Sequence, residues 1–389
     1  MWRSIYVASL ALVTLSPKLV NATDEIGRHP LENAALKYWQ AFAELYELRL
    51  PDADEIRFNC HRMPLDDRAR EIVDLAEPAL RDLHRAIPND RCYWGLDQRL
   101  ETSTRHQESA QLLAGVACLR ARLNFEDLYG HPLGSIEDLK AALWLARDVS
   151  SDGTILGVLN CYGIEQRITS ALSTYLNDLN EPTLKTLQDR LSKLPRAASL
   201  GPLFRKMEHI KIDQIAHDVR HRADDALPDY FLFFHADLDA STNFVKACGG
   251  TSEEILRRVQ EIRPVFVELA GQMDATLDQF QSAFDRARQE HDKNPMFTLL
   301  VVPMMESKKL QARWQAIVVM RSAAIAILLD GPELALKSHP DPFGDRFEYT
   351  HREKGFELRS RLEFNGKPVS LSIGQKDTGR SLIVAPTAP

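Results

Sequence analysis

Apolar side chains recur three and four residues apart along almost the whole chain. Ala69, Ile72, Ala76, Leu80, Leu83 and Ile87 form one such set. Leu112, Val116, Leu119 and Leu123 form a second, Ile164, Ile168, Leu172 and Leu176 a third, and Leu184, Leu187, Leu191 and Leu194 a fourth. On a helix each set is one apolar stripe that has to be buried against another element. Start signals agree with the stripes. Ser135 ahead of Ile136-Glu137-Asp138 predicts a helix through Leu145. Asn180-Glu181-Pro182 supplies a cap and a first-turn proline, and Thr251-Ser252-Glu253-Glu254 reads as a capping box. The helix after Thr251 is predicted to be long: Phe266, Leu269, Met273, Leu277, Phe280 and Phe284 keep the rhythm to about Gln289, with Pro264 kinking it or marking its start. Breaks fall at 129–134, 199–202 and 246–250. Short connections imply antiparallel helical hairpins, and the tetratricopeptide and ankyrin patterns are absent.

The period changes after Leu329-Asp330-Gly331-Pro332. Phe347, Tyr349, Phe356, Leu358 and Leu362 alternate with polar neighbours across a turn at Lys354-Gly355, which predicts a β-hairpin; Val369, Leu371 and Ile373 suit a third strand. So small a sheet has to pack on the preceding helix. The fold class expected is all-α, antiparallel helical hairpins in a bundle or short solenoid, with a small C-terminal β-hairpin. The organisation expected is a leader over 1–22, a helical hairpin domain over 23–250, a long-helix hairpin over 251–340, and the β-hairpin and tail over 341–389.

The N-terminus adds a destination. Met1-Trp2-Arg3 is a short positive start, Ser4 to Ser16 is uncharged and largely apolar, and Val20-Asn21-Ala22 precedes the polar Thr23-Asp24-Glu25. That is the pattern of a secretory signal peptide. The apolar run is shorter than the ~20 residues a membrane span needs. Further on, Ala316 to Leu329 is also short and carries Arg321, so no transmembrane span is expected once the leader is removed. The formal net charge is −7, with no basic stripe, which argues against a nucleic-acid partner.

Two stretches together carry a resemblance. One runs from Glu108 to Pro195, through Ala141-Ala142-Leu143-Trp144-Leu145-Ala146-Arg147 and Asn180-Glu181-Pro182-Thr183-Leu184, and is accompanied by Asn33-Ala34-Ala35-Leu36-Lys37-Tyr38-Trp39 near the mature N-terminus. It resembles a family of uncharacterised exported helical proteins common in planctomycetes. The other is Asp341-Pro342-Phe343-Gly344, Tyr349 and Gly355-Phe356-Glu357-Leu358. It is similar to the C-terminal hairpin of those proteins and, more distantly, of type II secretion pseudopilins. In pseudopilins an acidic, glycine-rich loop binds calcium. Here Arg361-Leu362-Glu363-Phe364-Asn365-Gly366 stands in its place and the prepilin-type N-terminus is missing, so neither calcium binding nor fibre assembly is implied.

Candidate chemistry is sparse. The chain has no GxxxxGK[ST], GxGxxG, HExxH or GxSxG motif and no EF-hand loop. His209, Asp213, His217 and His221 follow at four-residue steps. On one helix that spacing stacks them in a stripe able to share a divalent metal, with a further ligand from another helix. Alternatively the stripe is a solvated polar face. His235, Asp237 and Asp239 face one side of an extended segment, as a general base beside carboxylates or as a cap for the next helix. Five cysteines are widely spaced and lack a CxxC. Cys118 and Cys161 lie in helical patterns as small apolar residues. Cys60 and Cys92 flank one helix and are the candidate bridge. Cys60-His61 invites a nucleophile reading, but adjacent residues point apart. Trp39, Tyr38, Phe42 and Tyr46 make an aromatic stripe, for core packing or a partner-binding groove.

The function expected is an exported, non-catalytic interaction or structural protein of the cell envelope, with a protein partner and no cofactor. The alternative is a metal-dependent hydrolase or metal-binding protein built on His209, Asp213, His217 and His221. A third reading is a small-molecule carrier, which requires an enclosed, mostly apolar cavity.

Overall fold

The computed structural model describes residues 33–50, 52–89, 91–96, 105–127, 132–235 and 237–375. The leader over 1–22 and the end of the tail lie outside the described residues. The body is helical, with one small antiparallel sheet near the C-terminus, as the periodicity requires.

Helices α1 (Ala34–Leu48), α2 (Ala53–Asn59), α3 (Asp67–Leu75) and α4 (Glu77–Ala86) precede three longer ones, α5 (Arg105–Glu126), α6 (Pro132–Ser150) and α7 (Ile155–Tyr175). The last three pack on one another in succession; α1 lies on α4 and α5, and α2 and α3 lie on α5. The stripe from Ala69 to Leu83 is buried as predicted, but it spans two helices. The junction is Ala76, and Pro78 follows in the first turn of α4, where a missing N–H costs nothing. Helix α6 starts at Pro132, earlier than the Ser135 signal, so Ser135 is a buried first-turn residue. Helix α8 (Glu181–Ser192) is capped by Asn180, whose side chain accepts from the Thr183 N–H at 3.0 Å.

The second lobe follows: α9 (Leu200–Met207), a π turn (Glu208–Ile212), α10 (Asp213–Arg220), α11 (Leu227–Phe231), α12 (Leu238–Ala247), α13 (Ser252–Gly271), α14 (Leu277–His291) and α15 (Pro295–Leu300). Helices α9, α10, α14 and α15 gather on α13. The single long helix expected from Thr251 to Gln289 is in fact two. Pro264 sits inside a continuous α13. The break comes at 272–276, where Thr276 and Gln279 exchange side-chain-to-backbone bonds in a capping box and start a new helix.

Helix α16 (Val302–Asp330) then returns across the first lobe, and α17 (Pro332–Ser338) leads into β1 (Glu348–Arg352), β2 (Gly355–Phe364) and β3 (Lys367–Ile373), ordered β1-β2-β3. Segment 361–366 is mostly strand, contrary to its reading as a loop. Asn365 and Gly366 alone turn the chain, with φ of 54° and 70°, which is the geometry a two-residue hairpin turn demands. Asp341 is buried behind the sheet. Its carboxylate accepts from Ser360 Oγ at 2.8 Å, from the Arg361 N–H at 2.8 Å and from the Phe343 N–H at 3.1 Å. It thereby pins β2 where its pairing with β3 shifts register, between Arg359 and Glu363. A Cβ at Gly344 would crowd Arg361, which explains the Asp-Pro-Phe-Gly order.

Two hydrophobic cores result. Tyr38, Leu113, Ile136, Leu172, Met320 and Leu371 belong to the first, and Phe204, Phe231, Val259, Phe266, Phe280 and Met304 to the second. Two helices serve both. Helix α7 gives Val158, Leu159 and Tyr162 to the second core and Ile164, Ile168 and Leu172 to the first. Helix α16 starts in the second with Met304 and Met305 and ends in the first. The cores therefore divide the chain near residue 198 and again inside α16, not at residue 250.

By length and composition, Pro295–Asp330 is apolar enough to cross a membrane; 56% of its most apolar window is buried in the fold. Its Arg321 is enclosed: Nη1 donates to Thr169 Oγ1 at 3.2 Å and lies 3.8 Å from Glu165 Oε2. Arg147 also pairs with Glu165, so one buried carboxylate holds two guanidinium groups and ties α6, α7 and α16 together. Burial pushes the Arg321 guanidinium below its ordinary value, a measure of how dry the cluster is.

Candidate functional site

Helix α1 has two unlike faces. Ala34, Ala35, Tyr38, Ala41, Phe42 and Leu45 are buried. Leu36 is 45% exposed, Trp39 40% and Tyr46 84%, with Ala43 exposed between them. Positions 36, 39, 43 and 46 differ by three, four and three residues, so they run down one line of the helix. The aromatic stripe read from the sequence is thus two. Tyr38 and Phe42 face inward, while Trp39 and Tyr46, one step of ~100° round the helix, face outward. Tyr93, 64% exposed, lies beside the N-terminus of α1. Asn33 holds it there: its Oδ1 accepts from the Tyr93 N–H at 2.8 Å and its Nδ2 donates to the Tyr93 carbonyl at 2.8 Å. The same Oδ1 caps α1 through the Ala35 N–H.

The inner face is anchored by buried polar groups. The Tyr38 hydroxyl donates to Asp148 Oδ2, and Trp94 Nε1 donates to the Asp148 carbonyl at 2.9 Å. Tyr38 and Phe42 both stack on Trp94, with ring centroids 5.6 and 6.1 Å apart. Trp39 meets Trp94 edge-on at 6.0 Å, which fixes one edge of its ring and leaves the other to solvent. Beneath Trp94, His106 Nε2 lies 2.9 Å from Asp152 Oδ2, and Gln107 Nε2 donates to the same oxygen at 2.6 Å. Asn160 Nδ2 donates to Gln107 Oε1 at 3.1 Å. Asp152 Oδ1 accepts from the Thr154 N–H and hydroxyl at the start of α7. Burial raises the Asp148 carboxyl to about 6 and the Tyr38 phenol well above its ordinary value. A His beside a carboxylate resembles acid–base machinery, yet His106 and Asp152 are closed to solvent and spent on neighbours. The cluster is a foundation for α1.

The residues singled out in the sequence lie elsewhere. The helix carrying His209, Asp213, His217 and His221 is interrupted by the π turn, whose extra residue per turn breaks the four-residue rhythm between His209 and Asp213. The side chain of His209 lies outside the described residues. Asp213 forms an ion pair with Arg263 of α13. His217 and His221 are neighbours, with ring centroids 4.3 Å apart, and His221 Nδ1 meets the His217 carbonyl at 2.7 Å. Among the described residues no group of three or more His, Cys, Asp or Glu side chains is arranged to hold a metal ion. Asp237 caps α12, accepting from the Ala240 N–H at 2.7 Å. His235 packs on Phe244 at 4.7 Å, and burial lowers its pKa. Ala236, between them, lies outside the described residues.

The cysteines also depart from expectation. All five are free thiols. Cys60 does not meet Cys92. It meets Cys118, because α2 crosses α5 at Gly115, where any Cβ would collide with the Ile56 carbonyl. Cys92 lies near Asp148.

Two recesses open among the described residues. One of about 780 Å³ opens where the two cores and the sheet meet, lined by Tyr162, Lys308, Gln311, Trp314, Phe343 and Arg361. It is open to solvent and largely polar, unlike the enclosed apolar cavity a carrier requires. Lys308 is already committed, donating to the carbonyls of Met273 at 2.8 Å and Ala275 at 2.7 Å. The other surrounds Arg120, which holds Asp138 and Glu77, with His84 Nε2 2.7 Å from Asp138 Oδ1. Both Asp138 oxygens are occupied, so this is a clamp between α4, α5 and α6. Sequence reasoning missed it because its members are scattered over 62 positions of unremarkable spacing from Glu77 to Asp138.

Comparison with protein families, with curated proteins and with solved structures finds no match to this chain.

Proposed function

We propose that the protein is an exported, non-catalytic interaction protein of the cell envelope, and that α1 docks a helix of its partner. The observation that carries this reading is the outer line Leu36, Trp39, Ala43 and Tyr46, open on a helix whose other face is already buried. Its spacing is that of a seam between two paired helices, where alternate steps of three and four keep apolar residues facing the partner. The small Ala43 sits between the bulky Trp39 and Tyr46 along it, which leaves room for a partner's side chain. Aromatic residues that are half-fixed before binding lose little freedom on docking, and Trp and Tyr dominate binding energy at interfaces for that reason.

Charge specifies the partner further. Lys37 lies near the start of α1, and Glu47, exposed, lies near its end. A complementary helix carries apolar residues at the same spacing, a basic residue opposite Glu47 and an acidic residue opposite Lys37. Export rests on the leader pattern before Thr23. The Asp152 and Asp138 carboxylates are each consumed by structural bonds, which supports a non-catalytic role.

Fractionation of cells tests the reading. Wild-type protein is expected in the envelope fraction. A variant with Leu36→Ser, Trp39→Ser and Tyr46→Ser is expected in the soluble exported fraction with an unfolding midpoint close to wild type. Equal envelope retention of both would contradict it.

A further inference from the structure

We infer that Cys60 and Cys118 are a redox pair that closes to a disulfide in an oxidising environment. Cys60 ends α2 and Cys118 lies in the middle of α5; both are buried and their thiols are neighbours. The proximity is built by the backbone. Gly115 lets α5 approach the Ile56 carbonyl of α2 at van der Waals contact, and Cys60 and Cys118 each lie about one helical turn further along. Arg122 of α5 donates to the Cys60 carbonyl, which fixes the end of α2 against α5. This inference is independent of what occupies the outer face of α1.

Positive charge surrounds the pair: Arg167 lies near both sulfurs, Arg122 near Cys118 and His61 beside Cys60. Such a setting favours the thiolate over the thiol, and Cys60, next in the chain to His61, is assigned as the attacking cysteine and Cys118 as the resolving one. The oxidant is a disulfide, small-molecule or protein-borne. The Cys60 thiolate attacks one of its sulfurs, forming a mixed disulfide and releasing one thiol. The Cys118 thiolate then attacks Cys60 Sγ and releases the second thiol. The pair loses two electrons and two protons, and the oxidant is reduced to two thiols. The bond encloses residues 61–117, linking α2 to α5 across α3 and α4, so closure removes freedom from the unfolded chain. Cys92, Cys161 and Cys248 have no such neighbour described, and burial raises each of their thiols.

The test uses the full chain, unfolded in reductant-free denaturant and refolded with a mixture of reduced and oxidised glutathione, then alkylated and digested. The expected result is a peptide pair joining Cys60 to Cys118, a mass lower by two hydrogens, and alkylation of the other three cysteines. Thermal unfolding is expected several degrees higher than after treatment with dithiothreitol. A glutathione adduct on Cys60 with Cys118 alkylated, a Cys60–Cys92 link, or five alkylated cysteines would each overturn the inference.

Discussion

The Tyr38 hydroxyl lies 2.6 Å from Asp148 Oδ2, joining the inner face of α1 to the end of α6 in a buried bond. Burial raises that carboxyl from 3.8 to about 6. Because the folded value is the higher one, ionisation favours the unfolded chain. The penalty is absent below pH ~4, grows as pH rises and is complete above ~6, at roughly 3 kcal/mol. Asp148→Asn keeps an acceptor for Tyr38 and removes the titration. Its urea-unfolding free energy is expected to fall less than wild type between pH 4 and pH 8, by about that amount.

The Glu165 carboxylate is the one charge between Arg147 and Arg321. Glu165→Gln leaves two guanidinium groups in a dry core without a counter-charge, a loss of roughly 3–5 kcal/mol in stability. Chemical denaturation at pH 7 reads this directly. A loss below about 1 kcal/mol would mean water reaches the cluster.

Asp341 satisfies Ser360, Arg361 and Phe343 at once. Asp341→Ala orphans these donors behind the sheet and is expected to cost about 1–3 kcal/mol. Hydrogen exchange is expected to speed up across β2 and β3 and to stay unchanged in α13, which lies in the other core.

If the leader is removed after Ala22, the exported protein begins at Thr23. N-terminal sequencing of material from the envelope fraction checks this, and a start at Met1 would contradict it.

Much of the fold was legible because burial and period are coupled. The stripes at Leu112–Leu123 and Ile164–Leu176 are buried on α5 and α7, and Asn180 and Thr251 cap helices where they were expected to. Element ends were harder. The break at 272–276 was hidden because Met273 and Leu277 continue the apolar rhythm across it. The Asn365-Gly366 turn was hidden by its hydrophobic approach. The site was less legible still. Tyr38 and Trp39 are both large and aromatic, and only the position of Trp94 and α4 decides which faces inward. Likewise Cys60 and Cys118 are 58 positions apart, and their meeting depends on Gly115, whose role shows only once two helices cross. The His209 to His221 spacing supposed one regular helix; the π turn sets His209 apart, while Asp213, His217 and His221 keep the four-residue step on α10 and its C-cap.

The central claim is that the outer line of α1 is occupied by a partner's helix. Site-specific photo-cross-linking in growing cells tests it most directly, with a photo-reactive side chain in place of Trp39 and, in a control, in place of exposed Val267 on α13. One discrete adduct is expected from position 39 in the envelope fraction and none from position 267. No adduct at position 39, or the same adducts from both positions, would contradict it.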